Sequence, residues 1–355
     1  MPMMDQDQGR VSVIVPARNE EANIARVVRS LAPQQGVREI LVVDDRSQDR
    51  TAEILKDLKA KIPALQVIET DTLPEGWTGK SYAAATGARV ASGAWLLFTY
   101  ADTEHLPGSL AVLLERAERE GVDLLSLSPG QSTRTVWEKA VIPLIYTHLA
   151  RLYRFEDVSD PASPAAAANG QYVLIRRAVY DRVGGHEAVR GAILEDVELA
   201  RRVKSAGGQL LFLPGAEWVS TRMYGSFSAM WQGWTKNLYL LYGRNVTHML
   251  GALAELWLLD LAPALAFVAL ALAWAMGAGD LWTVLAALTF FFLAMLRQWN
   301  YGQALGRIGF DPRLARYQAP GAAIFSFLLL NSVRAYRWGG KIEWKGRLYS
   351  TKRAG

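Results

Sequence analysis

The 355-residue chain contains no cysteine, which excludes disulfides and thiolate metal sites. Its four histidines, His105, His148, His186 and His248, show no short paired spacing, which argues against a zinc cluster. The opening MPMMDQDQGR has no apolar core of the kind a secretory signal needs, so the soluble part of the chain is expected to face the cytoplasm. No G-x-G-x-x-G follows the first strand-like run, which disfavours a dinucleotide-binding fold of the usual kind. Gly79-Lys80-Ser81 looks like the end of a P-loop, but the glycine that motif needs five residues earlier is Pro74, and the segment does not directly follow a strand. The basic residues form no single stripe with interleaved aromatics, so nucleic acid is not an expected partner.

What is present is apolar residue, 51% of the chain, at the upper edge of the globular range. The excess lies mostly between Leu253 and Leu330, which separates a soluble part from a lipid-facing part. The formal charge is +5, and arginines crowd the late segment: Arg297, Arg307, Arg313, Arg316, Arg334, Arg337, Arg347 and Arg353. Beside apolar stretches such charge reads as positive-inside flanking and attraction to anionic lipid, which makes the bilayer an expected partner. Two domains are expected: an α/β domain over 1–245, and a membrane region over 246–355 with two or three apolar helices and a basic tail.

Within 11–127, short β-rich apolar runs alternate with helical patterns. The strand-like runs are 11–15, 39–43, 65–69, 94–98 and 122–127, and the helical ones are Glu20 to Leu31, Asp49 to Lys59, Ser81 to Ala91 and Pro107 to Glu120. This alternation predicts a mostly parallel sheet flanked by helices. Ligands of such sheets bind at the carboxyl ends of strands. Three such ends carry polar residues: Pro16-Ala17-Arg18-Asn19-Glu20, Asp44-Asp45 and Tyr100-Ala101-Asp102. A nucleotide is expected there.

Residues 133–153 are apolar with charged ends and an internal proline, which fits an amphipathic interfacial helix or a core helix equally well. Leu256 to Met276 and Leu281 to Leu296 are candidate spans, the second slightly short of the roughly 17–25 residues a crossing needs. Gln318 to Leu330 has arginines on both sides, and a third crossing would carry the basic tail outside, against the charge rule. Two crossings plus an in-plane or re-entrant segment are expected, with three crossings as the alternative.

Asp44 and Asp45 close an apolar strand, where an unpaired carboxylate is costly, so they need donors or a cation. A base edge or ribose supplies donors; turn and cap roles compete, since Ser47 and Asp49 already resemble caps. Asp102 fits a divalent metal that bridges two phosphates. Lys80 lies near the start of a helix whose N-terminus attracts anions, or is an ordinary surface lysine. Glu195-Asp196 opens an amphipathic helix, where carboxylates either answer the helix dipole or, at Asp196, act as a general base.

Taken together, PARNEE (16–21), VVDDRSQDRT (42–51), YAD (100–102), NGQYVLIRR (169–177), VGGHEAVRG (183–191) and EDVELA (195–200) resemble the family 2 glycosyltransferases of GT-A fold, over about 11–243. GWTGKSYA (76–83), GGH (184–186), WQGWTKN (231–237) and WKGRLY (344–349) are similar to the membrane-bound members linked to hopanoid or carotenoid glycosylation. The resemblance implies an inverting transferase moving a hexose from a nucleotide-sugar, by default a UDP-sugar, to a lipid acceptor. It implies a donor site of Pro16, Arg18, Asn19, Glu20, Asp44, Asp45, Lys80, Tyr100 and Asp102. Asp45 would contact base or ribose, Lys80 the uridine or diphosphate, and Asp102 would hold Mg or Mn. Asp196 would be the base, beside Glu195, and Gln171, His186, Trp231 and Trp234 would shape the acceptor side. One departure stands out: the family usually begins the aspartate motif with aspartate, and here it is Tyr100. A phenol can hydrogen-bond a ribose but is a poor Mg ligand, so a catalytically silent nucleotide-binding protein is an alternative. A polysaccharide synthase is another, although Trp231 to Asn237 lacks the arginine before tryptophan of processive enzymes.

Overall fold

The computed structural model describes residues 10–344 and 347–350; the N-terminal segment 1–9, Lys345-Gly346 of the late motif and Arg353 lie outside them. The chain divides into two compact units, Met1–Ser132 with Tyr153–Met223, and Thr133–Leu152 with Tyr224–Gly355. The boundary therefore falls earlier than residue 245, and the segment 133–152 belongs with the C-terminal unit.

The first elements in chain order are β1 (Val11–Ala17), α1 (Ile24–Leu31), β2 (Val37–Asp44), α2 (Thr51–Lys59), β3 (Leu65–Glu69), α3 (Gly79–Val90), β4 (Trp95–Phe98), β5 (Thr103–His105), α4 (Ser109–Arg119) and β6 (Leu124–Gln131). There follow α5 (Val136–Leu152), α6 (Phe155–Ser159), β7 (Val173–Arg176), α7 (Arg177–Arg182), α8 (Glu195–Ser205) and β8 (Leu210–Thr221). The rest are α9 (Phe227–Leu241), α10 (Val246–Glu255), a π-helical stretch (Leu256–Leu261), α11 (Ala262–Ala275), α12 (Leu281–Arg307), a 3-10 stretch (Pro312–Tyr317), α13 (Gln318–Arg337), β9 (Lys341–Trp344) and β10 (Arg347–Ser350).

In the first unit the described strands form one sheet in the order β3-β2-β1-β4-β7-β6-β8-β5. β1 runs parallel to β2 and β4, β2 to β3, and β6 to β8, while β7 is antiparallel to both its neighbours. The sheet is thus mixed, with its parallel half at the N-terminal end of the chain. β1 is buried along almost its whole length, which is why it reads as an unbroken apolar run rather than an alternation. Successive side chains still face opposite ways. Val13 and Val15 join Val27, Leu31 and Leu110 in one core layer, whereas Ile14 joins Ala83, Ala84, Ala88 and Leu199 in the other. Each such fully buried Val, Ile or Leu contributes about 1.5–3 kcal/mol.

Small residues let α3 lie close on the sheet. A Cβ on Gly87 would stand 2.6 Å from Ile14 Cγ2 and 3.1 Å from Val43 Cγ2. The helix starts at Thr78, whose side chain accepts from the Ser81 N–H, and this fixes Lys80 in its first turn.

In the second unit α13 is a 20-residue interior helix with Ala322, Phe325, Leu328 and Leu329 fully buried. It crosses α5 so closely that a Cβ on Gly321 would lie 2.1 Å from the Ala140 carbonyl oxygen. Ser332 Oγ–H donates to the Thr235 carbonyl of α9 at 2.7 Å. Two stretches, Val246–Ala275 and Leu281–Arg307, are long and apolar enough to cross a membrane. They leave Leu265, Leu272, Trp274, Trp282, Phe292 and Trp299 exposed. Both run beyond the expected bounds, because the charges that end the apolar pattern are paired between them: Arg297 donates to Asp260 at 2.6 Å and to Glu255 at 2.7 Å. Among the described residues α13 does not qualify as a further span.

Candidate active site

The carboxyl ends of β2, β1 and β4 lie side by side, so the polar residues that follow them share one rim. The β1 and β2 ends are tied together. Arg18 Nη1–H donates to the Asp45 carbonyl at 2.9 Å and stands 4.0 Å from the Asp45 carboxylate. Asn19, in the left-handed region at φ 53°, accepts from the Gln48 N–H at 2.8 Å, and its own N–H donates to Ser47 Oγ. The Glu20 N–H donates to Thr51 at 2.8 Å, opening the loop into α1. Asp44 Oδ1 accepts both the Ser47 N–H and its hydroxyl, which makes Asp44 a turn-closing residue. Asp45 is buried at the rim and accepts from Thr70 at 3.3 Å.

Beside this rim, Pro16, Lys80, Ala84, Phe98, Thr99, Tyr100, Gly170, Val173, His186, Glu195, Asp196 and Leu199 line a single small pocket. Residues from β1, α3, β4, the turn before β7 and the start of α8 converge there. Lys80 Nζ lies 2.5 Å from Glu195 Oε1 and also donates to the Tyr100 hydroxyl, which itself donates to Glu195 Oε1 at 3.3 Å. Burial and then the charges of Glu195, Asp196 and Asp102 push the Tyr100 phenol far above its ordinary range, so it stays protonated and works as a donor. Tyr100 therefore stands among three carboxylates and one ammonium, a neutral polar group where a further aspartate would add repulsion. Gly170 makes room for it: a Cβ there would lie 2.0 Å from the phenol oxygen. The same glycine's N–H donates to Asp196 Oδ2 at 2.7 Å.

Asp196 also accepts from the Val197 N–H at 2.9 Å. Burial, reinforced by the Glu195 charge, raises its proton affinity above that of an ordinary aspartate; Lys80 and the two N–H bonds oppose but do not cancel this. A carboxylate held this way accepts a proton more readily than a surface one, as a general base requires. His186 is buried in a ring cluster, 4.6 Å from the Phe98 centroid, and burial pushes it down to about 3, so the imidazole is neutral.

Gln171, Trp231 and Trp234 are not among the residues lining this pocket. Gln171 is a brace, buried, with its amide donating to Thr221 at 3.1 Å and its carbonyl accepting from Thr99. Trp231 and Trp234 lie on α9 in the second unit, where Trp234 is buried edge-on to Tyr146 and Tyr224. In the sequence Gly170 is marked only by its place in NGQYVLIRR and Tyr180 by no motif; what each does shows only once the rings they contact are in place.

Among the described residues no three His, Asp or Glu side chains could hold a metal ion by themselves. That does not conflict with a cation carried by a diphosphate, which takes most of its oxygens from phosphates and water and needs only one or two protein carboxylates. The half-buried Asp102, just beyond β4, and Glu195, whose buried Oε2 makes no hydrogen bond, fit that lesser role.

Comparison with known proteins agrees with this geometry. The chain is 28% identical over 354 residues to a 4,4'-diaponeurosporenoate glycosyltransferase of Staphylococcus haemolyticus, covering 96% of this chain and 89% of the relative. It is 26% identical over 345 residues to the enzyme of the same name from Staphylococcus aureus strain MRSA252, covering 96% and 88%. A solved mannosyltransferase from Pyrobaculum calidifontis, in complex with GDP-Man and Mn2+, superposes with a TM-score of 0.51 at 20% identity, covering 90% of this chain and 87% of that one. Residues 12–184, which include the Lys80–Tyr100 pair, match the model described as Glycosyl transferase family 2, and the chain accordingly carries a family 2 glycosyltransferase domain with the GT-A fold.

Proposed function

We propose that this enzyme transfers one hexosyl group, with inversion, from a nucleoside-diphosphate sugar to a hydroxyl or carboxyl oxygen of a polyisoprenoid lipid. The observation that carries the mechanism is a proton-affine Asp196 in the same pocket as the Lys80–Tyr100–Glu195 cluster. For a hydroxyl acceptor, Asp196 removes the proton as the oxygen attacks the anomeric carbon on the face opposite the diphosphate. The bond from that carbon to the phosphate oxygen breaks, and its electron pair leaves with the diphosphate. Lys80 offers a cation to that leaving charge, and Tyr100 and Glu195 hold the ammonium in place until the donor arrives. Asp45 and Arg18 are placed for the base or ribose at the other end of the rim. Asp102 would hold a divalent cation brought by the diphosphate, whose chemistry is to neutralise phosphate charge.

A lipid acceptor is supported by the two membrane-length helices and by the named substrate of the staphylococcal relatives. In this reading the protein is an integral, multi-pass protein of the cell membrane, with the sheet domain on the cytoplasmic side. The test is mass spectrometry of total lipids from cells with and without the gene. One or more isoprenoid lipids should differ by a single hexose; an unchanged lipid profile, or a ladder of growing polymer, would exclude the assignment.

A further inference from the structure

The Gly184-Gly185-His186 turn has a job that no pattern in the sequence reveals. α7 ends at Arg182, and the chain then turns through two left-handed glycines, φ 79° at Gly184 and 48° at Gly185. A Cβ on Gly185 would lie 2.4 Å from the Tyr180 ring, so this turn can wrap that ring only with glycine there. The wrap returns His186 onto Tyr180. The His186 backbone N–H donates to the Tyr180 hydroxyl at 3.1 Å, and that hydroxyl is 3.0 Å from His186 Nδ1.

Proton accounting at Tyr180 then decides the tautomer. A phenol has one proton to give. Its oxygen already accepts the backbone N–H, and Tyr180 is only 6% exposed, so water is a poor alternative acceptor. If Nδ1 carried a proton, the phenol proton would be buried with no acceptor, which is costly. The satisfied arrangement has the phenol donating to a bare Nδ1, which puts the imidazole proton on Nε2. That nitrogen makes no hydrogen bond among the described residues, and the ring lines the pocket beside Lys80 and Asp196.

We infer that Tyr180 is a positioning residue that locks His186 as the Nε2–H tautomer, so that His186 donates a hydrogen bond to an oxygen of the sugar-diphosphate part of the donor. This rests on the transferase reading and extends it to a specific donor contact. The donor rather than the acceptor is indicated because the pocket His186 shares is built from the ends of β1 and β4 and the anion-attracting start of α3. Burial keeps the ring neutral, with Lys80 adding to that and Asp196 opposing it, so the donated bond does not depend on an imidazolium.

The test uses the full-length protein in detergent. Selective 15N-histidine NMR without ligand should show His186, identified by its loss in His186→Gln, with a bare Nδ1 and a protonated Nε2. Tyr180→Phe should replace that signature by a mixture of tautomers. Nucleotide-sugar affinity, measured without acceptor, should fall about tenfold or more in His186→Asn, whose amide sits nearer Nδ1. It should fall less in His186→Gln, whose amide reaches the Nε2 position. Nucleoside diphosphate without the sugar separates the two donor oxygens: an equal loss marks a phosphate contact, and a loss confined to the nucleotide-sugar marks a sugar hydroxyl. A wild-type His186 protonated on Nδ1, or equal donor affinity in wild type, His186→Gln and His186→Asn, would overturn the inference. Because the tautomer is read without turnover, that failure is distinct from an absence of any transferase activity, which would instead remove the functional reading.

Discussion

Asp196 sits where a carboxylate favours its proton, and this has consequences for both activity and stability. Asp196→Asn should cut transfer by about 10²–10⁴-fold, the usual contribution of a positioned base, while donor binding persists. Because the folded protein binds this proton more tightly than the unfolded chain, the stability the group contributes is complete below the unfolded value. It is lost as pH rises through the folded one. Asparagine mimics the protonated form and keeps the bond from Gly170. The variant should therefore melt higher than wild type at neutral pH, with the gain shrinking as pH falls, a pattern that thermal melts across pH would check. The wild-type rate should fall on the acid side at a pH above that of an ordinary aspartate. Gly170→Ala should also abolish transfer, because its methyl must displace the Tyr100 ring, which is tethered to Lys80 and Glu195.

Elements carry these residues with unequal legibility. β1 to β4 and α1 to α4 are readable from sequence, since buried parallel strands give continuous apolar runs and the helices between them give 3.6-residue periodicity. β5 and β7, three and four residues long, are too short to show a period. The rim residues were legible by type, but their partners were not. Lys80 and Glu195 lie far apart in sequence, and only the start of α3 and the start of α8 brought to one pocket reveals that they pair. The sequence favours Asp45 over Asp44 for the nucleotide without showing why; in the fold Asp44 closes a turn on Ser47, and Asp45 is held by Arg18 and Thr70. The apolar helices run longer than hydropathy shows for an electrostatic reason, because Glu255, Asp260 and Arg297 each interrupt hydropathy but are paired with one another and, at Glu255, with Arg151. Breaking that network should be costly. Arg297→Ala leaves the buried Asp260 without its cation, while Glu255 keeps Arg151, and should destabilise the second unit by about 3–5 kcal/mol, measurable as a lowered melting temperature in detergent.

At the scale of the whole molecule, a family 2 glycosyltransferase domain and a helical unit with exposed Leu, Phe and Trp occur in one chain. Exposed apolar surface of this kind marks a protein-contact or membrane site, and two stretches of the unit are long and apolar enough to cross a bilayer. The protein should stay in the membrane pellet after alkaline or high-salt washing and be released only by detergent; release by salt alone would mean that the two long helices do not span. The most direct measurement of the central claim is transfer of labelled sugar from a nucleoside-diphosphate hexose to an isoprenoid acid or alcohol in detergent, comparing wild type with Asp196→Asn. The account predicts one sugar per lipid in the wild type and a loss of at least about a hundredfold in the variant. Equal rates in the two proteins would contradict it.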